Sequence, residues 1–170
     1  MELEKLARSL DANGENAEST LALVAERIAK MFNVRAEEVA LLGVSIKWKH
    51  LYFLVPESLK KVGFIPLSSD SALAARTVRE KRAEIVNDFP AIRHATVFEG
   101  VKSPEVGGQA IQKILSAPIF SGETVVGVIQ ISRKGSNAKA AGADFHAEDL
   151  AKIVALSGSL EAFLKHRATE

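Results

Sequence analysis

Cysteine is absent from all 170 residues of the chain. That absence removes disulfides, thiol nucleophiles, thiolate metal sites and thioether-linked chromophores together, and it fits a reducing compartment. An excess of either charge is also lacking. Lys and Arg number 22 against 21 Asp and Glu, for a net charge of +1, and the two signs are interspersed. Such a balance gives no electrostatic case for a nucleic-acid or membrane surface, so neither is expected as a partner. No apolar run approaches the roughly 20 residues that span a bilayer. The acidic start Met1-Glu2-Leu3-Glu4-Lys5 has no leader-like apolar core, and a cytoplasmic protein is expected. Catalytic signatures are missing too. Gly107-Gly108 fits neither a Walker loop nor a dinucleotide fingerprint, and no Gly-x-Ser-x-Gly elbow exists. His50, His94, His146 and His166 form no His-x-x-x-His pair, so no metal is expected. His94 is read as an ordinary surface histidine ahead of a haem or metal ligand. The chain is not expected to be an enzyme.

What is present is 47% apolar composition, enough for one core, read as a single domain over 17–167 after a polar segment at 1–16. Its centre is Ile114 to Lys134. Two β-branched runs flank Ser121-Gly122, where Gly122 can take the positive φ of a tight hairpin turn. Both runs are apolar on successive residues, where a sheet with one wet face would alternate, so this sheet is expected to be covered on both faces.

Around that hairpin, Leu21, Val24, Ala25, Ile28, Met31 and Phe32 recur at three and four and predict an amphipathic helix over Ala17 to Phe32. Val39 to Ile46 and Leu51 to Val55 read as a second hairpin, stopped by Pro56. Gly63 to Leu67 is a short extended piece, and Ser68, Ser69 and Asp70 offer N-caps for a helix over Ser71 to Lys81. Glu84 to Asn87 is a short strand. Residues 90 to 110 have no sustained period but hold Ile92, Val97, Phe98 and Val101, the pattern of a lid or pocket wall. Gly135 to Gly142 is a small-residue loop, and Asp144-Phe145-His146 introduces a last helix, Ala147 to Lys165. Its apolar residues cover about half the circumference, wider than the roughly 100° that one sheet needs.

In this order and spacing, Phe64-Ile65-Pro66-Leu67, Ala83-Glu84-Ile85-Val86-Asn87-Asp88, Ile114 to Ile119, Gly127 to Ile131 and Phe145 to Leu150 resemble a GAF domain across nearly the whole chain. The resemblance implies an α+β fold: a six-stranded antiparallel sheet with the terminal helices on one face and a small-molecule pocket under short helices and loops on the other. It also implies a regulatory role in signalling. Cyclic-nucleotide-binding members carry Asn-Lys, Phe and Asp-Glu where this chain has Arg133-Lys134, Phe145 and Asp149-Leu150. The shared Lys134, Phe145 and Asp149 suit a structural clamp, with Lys134 paired to Asp149, while the missing Asn and Glu speak against cyclic nucleotides. Members that hold a bilin or reduce methionine sulfoxide do so through cysteine, so thioether-linked bilin is excluded, and no cofactor is expected.

Candidate ligand-binding residues are Phe53, Ser68, Asn87, Asp88, Phe89, Phe98 and Gln130. A buried ligand needs a few polar anchors, though Asn87 and Asp88 can equally make their own turn. Gln130 interrupts an apolar strand. With a Ser121-Gly122 loop it falls opposite Lys113, on the face of Leu115, Ala117, Val126 and Val128, and once buried it needs a partner. The wide arc of the last helix predicts a homodimer through helix packing, with Leu21, Ile28, Ile153, Leu160 and Leu164 as its seam. The expected function is a sensor that binds an unknown small organic molecule and signals to an output domain or partner protein. The alternative is a dimerisation or interaction module with a collapsed pocket.

Overall fold

The computed structural model describes residues 17–70, 72–89 and 110–168. The first helix, α1, spans Ala17–Phe32 and buries Leu21, Val24, Ala25, Ile28 and Phe32. Met31, part of the expected stripe, is instead exposed. Asn33 ends the helix in the left-handed conformation. The next amide, that of Val34, reaches back to Ala29 O (2.9 Å), a Schellman closure that tucks Val34 against the core.

Strands β1 (Val39–Ser45), β2 (His50–Val55), β3 (Phe64–Pro66), β4 (Glu84–Val86), β5 (Ala110–Ser121) and β6 (Thr124–Gly135) form one sheet in the order β3-β2-β1-β6-β5-β4, every neighbour antiparallel. Both faces are covered, as the unbroken apolar runs require. One face of the sheet, with Leu41, Leu54, Leu115, Ala117, Ile119, Ile129 and Ile131, packs on α1, α4 (Ala147–Ser157) and α5 (Glu161–Ala168). The other, with Leu42, Val44, Leu51, Phe53, Ile65 and Val128, meets Ala74 and Ala75 of α2 (Leu73–Glu80). The N-cap of α2 is Ala72, so none of the three expected residues caps it; Ser69 Oγ instead accepts from the Ala72 amide (3.2 Å) and holds the approach to the helix.

The central hairpin turns one residue later than expected, at Gly122-Glu123, because Ser121 pairs with Thr124. An irregularity between Ile119 and Phe120 shifts the register further, placing Gln130 opposite Ser116 instead of Lys113. A slip of one residue exchanges faces. Leu115, Ala117 and Val126 therefore lie with the helices, and Val128 lies on the other side. The stretch expected as a plain loop holds a short helix, α3 (Ala138–Ala141), whose Ala140 amide donates to Asn137 Oδ1 (2.8 Å).

The last helix is interrupted. Gly158–Leu160 forms a 3-10 turn at Ser157-Gly158-Ser159, residues of low helix propensity. At about 120° per residue this turn re-phases the residues after it, so an arc drawn at 100° overstates the apolar width. Ile153, Leu160 and Leu164 are buried by their own chain, as are Leu21 and Ile28, all at 3% exposure or less. The expected dimer seam is therefore core. Among the described residues, the large apolar side chains left outside on these helices are Leu23, Met31 and Val154. No helix among the described residues is long and apolar enough to cross a membrane.

Candidate functional site

On the sheet face opposite the terminal helices, alternate residues of β6 point the same way: Gln130, Ser132 and Lys134, at 4, 5 and 7% exposure. They line a cleft walled by Ala40 of β1, Phe53 of β2, Pro56 and Leu59 beyond it, and Ile111 and Ile114 of β5, with Glu37 and Glu38 at its end. Its interior measures about 30 Å³, room for about two waters. A wider polar cleft of about 310 Å³ lies alongside, bounded by Asn33, Val34, Arg35, Ala140 and Ala141. Glu38 and Lys134 line both and divide them.

Burying charged groups on an apolar sheet face is costly unless they are hydrogen-bonded, and Glu38 is anchored throughout. Its Oε1 accepts from the Arg35 amide (2.9 Å), its Oε2 accepts from the Lys134 amide (2.7 Å), and Arg35 Nη2 lies 3.2 Å from Oε2. Ser132 Oγ donates to Glu38 O (3.3 Å), so two successive cleft-facing residues of β6 are tied to this one glutamate.

Behind the cleft a polar chain leads to α2. Thr77 Oγ1 spends its one proton on Leu73 O (2.9 Å), so in the 2.7 Å contact between Thr77 and Ser116 the serine donates. Ser116 Oγ in turn accepts from Gln130 Nε2 (3.2 Å). Gln130 thus sits on the cleft floor while bonded, through fully buried Ser116, to the covering helix. Among the described residues, every buried side-chain nitrogen and oxygen has a partner.

A family model for the GAF domain matches residues 16–162. The chain belongs to the GAF domain family. The GAF domain of a phosphoenolpyruvate-protein phosphotransferase from Coxiella burnetii superposes with a TM-score of 0.68 at 17% identity, covering 96% of this chain and 90% of that one. A segment of a methyl-accepting chemotaxis protein gives 0.64 at 13%, covering 95% of each chain. The free methionine-R-sulfoxide reductase of Neisseria meningitidis, solved with its substrate, gives 0.63 at 15%, covering 96% and 86%. At these identities the structural likeness concerns the fold. No curated protein sequence matches the chain.

Within this GAF fold the expected ligand residues separate. Phe53 and Gln130 line the cleft. Phe89 is buried against Leu73 and Ile114, one layer behind its wall. Ser68 and Asp88 are exposed and line neither cleft. Asn87 is engaged elsewhere: its Oδ1 accepts from the Phe145 amide (2.8 Å) and its Nδ2 donates to Phe145 O (3.1 Å), holding the approach to α4. Phe98, His94 and the expected lid fall outside the described residues.

The clamp is also built differently from expectation. Lys134 and Asp149 lie on opposite sides of the sheet, so their ion pair does not form, and the Asp149 carboxylate caps the His146 amide (2.8 Å). Arg133, one residue along and hence on the helix side, places its guanidinium 4.4 Å from the centre of the Phe145 ring. Lys113 adds an ion pair to Asp144 (2.8 Å) and donates to Gly142 O (2.5 Å). The hydrogen bond from Lys113 holds the Asp144 carboxyl below the usual range. Partial desolvation opposes it, and the charges of Lys113, His146 and Arg133 add to it.

Sequence reasoning missed Glu37, Glu38 and Ser132 altogether and assigned Lys134 to the clamp. The available signal was the period of two in Gln130-x-Ser132-x-Lys134 within an apolar strand.

Proposed function

We propose that this GAF domain is a cytoplasmic regulatory sensor that binds a small organic ligand in the β6 cleft and transmits occupancy through its terminal helices to an output domain or partner protein. The observation that carries this reading is the rank of Gln130, Ser132 and Lys134, with Glu38, buried on an otherwise apolar face. Few convergent polar groups in an apolar wall suit a molecule with an apolar body and one or two hydrogen-bonding groups. A phosphate is poorly served, since Glu37 and Glu38 set two carboxylates at the end of the cleft, and the Arg35 guanidinium beside them is already engaged by both. The charge that opposes phosphate therefore comes from these two residues, since Asp70 and Asp88 line neither cleft. The solved neighbours drawn from a chemotaxis protein and a phosphotransferase support a signalling role. The reductases of this fold stand apart, because a chain without cysteine has no thiol for such chemistry.

The test is thermal unfolding across a set of small amides, alcohols and amines with apolar bodies. A ligand at about 100 times its Kd stabilises by about 2.7 kcal/mol. Gln130→Leu and Lys134→Met should abolish that shift, and calorimetry with cyclic AMP and cyclic GMP should show no binding. The second reading, a dimerisation or interaction module with a closed cleft, draws on the 30 Å³ interior and on the satisfied buried polar atoms. It expects no shift with any of these molecules.

A further inference from the structure

We propose that Arg133 is the link by which occupancy of the cleft reaches both terminal helices; this rests on the cleft being the ligand site. Ser132 and Lys134 line the cleft, and Arg133 between them emerges on the opposite face. There Nη2 donates to Phe32 O (2.8 Å), the last residue of α1, and Nη1 donates to Ala143 O (2.7 Å) in the segment entering α4. Phe145 lies beneath the guanidinium. One planar fork thus holds the end of the first helix and the approach to the last, a geometry that an ammonium cannot reproduce.

Backbone continuity makes the coupling mechanical. The Lys134 amide and the Ser132 hydroxyl are both bonded to Glu38, so a ligand that competes for Glu38, or displaces either side chain, shifts β6 at the residues on each side of Arg133. Lys152 of α4 donates to Met31 O (3.1 Å), so α1 and α4 also meet directly at this end, and a movement imposed by Arg133 is shared between them. Arg133 touches no ligand in this scheme and acts as a positioning residue.

Because the chain has no cysteine, Ser132→Cys creates a single thiol facing the cleft. Methyl and butyl methanethiosulfonate then serve as covalent occupants of known size. Amide hydrogen exchange is followed in the last turn of α1 and the first turn of α4 in the full chain. Labelling should change exchange at both places by about fivefold or more, the lower end of ordinary coupling between sites. In the Arg133→Met background the thiol should label at the same rate while the response falls below about twofold. Should Arg133→Met not fold, Arg133→Lys, which cannot hold both carbonyls through one planar fork, should lose the response at one of the two helices. Labelling with unchanged exchange, or a response that persists without Arg133, overturns the link and leaves the cleft reading standing. A folded Ser132→Cys protein whose thiol reacts with neither reagent overturns the cleft reading and the link with it.

Discussion

Asn87 closes two hydrogen bonds on the backbone of Phe145, joining the end of β4 to the segment entering α4, 58 residues apart in sequence. Removing the carboxamide leaves that amide and carbonyl without it, so Asn87→Ala should lower stability by about 1–3 kcal/mol with an unchanged denaturant slope in urea unfolding. Asp144 makes a pH-dependent contribution. Its carboxyl is held below the ordinary aspartate value by Lys113, so the stability it adds is complete above the unfolded value of about 3.9 and is lost as pH falls through the lower folded value. Acid titration of Asp144→Asn should show a shallower loss of stability below about pH 4 than the parent; identical curves would remove the contribution. At this scale the sequence was only partly legible. A buried Gln130 in need of a partner could be read from one strand, but Ser116 as that partner depended on the later turn and on the irregularity between Ile119 and Phe120, which no local pattern announces. Glu38 sits 96 residues before Lys134 and is joined to it only by the fold.

Among the elements, β6 combines most of the constraints. A Cβ at Gly127 would lie 2.7 Å from Leu164 Cδ1 and 2.9 Å from Leu42 O. The leucine end can swing away, but the carbonyl belongs to the neighbouring strand and cannot. Gly127→Ala should therefore cost about 1–3 kcal/mol in thermal or urea unfolding; a neutral result would show that β1 can give way at Leu42. The elements themselves were the most legible part of the chain. The apolar period delivered α1 to the residue, and β-branched runs with turn residues delivered the strands, because burial on one stripe or on two faces leaves a direct periodic trace. The 3-10 break in the last helix left a weaker trace, and it was this break that made the apolar arc look wide enough for a second subunit.

For the whole molecule, burial rather than periodicity decides what remains for a partner. For a dimer through the terminal helices of this GAF domain, the seam available among the described residues is Leu23, Met31 and Val154, which are 49, 40 and 63% exposed, and not the residues already in the core. Light scattering at tens of micromolar should give a dimer mass for the parent and a monomer mass for Val154→Glu with the fold unchanged by circular dichroism. A dimer unaffected by Val154→Glu would place the seam elsewhere. The family and the layered sheet were visible in the order of short motifs, whereas the cleft was not, since its lining comes from four strands and two connecting segments. Whether that cleft holds a ligand is the central claim, and native mass spectrometry of the protein purified from its own host tests it most directly. The account predicts a retained non-nucleotide small molecule in the parent that is absent from Gln130→Leu and Lys134→Met. The bare chain mass in every parent preparation, or a retained cyclic nucleotide, would contradict it.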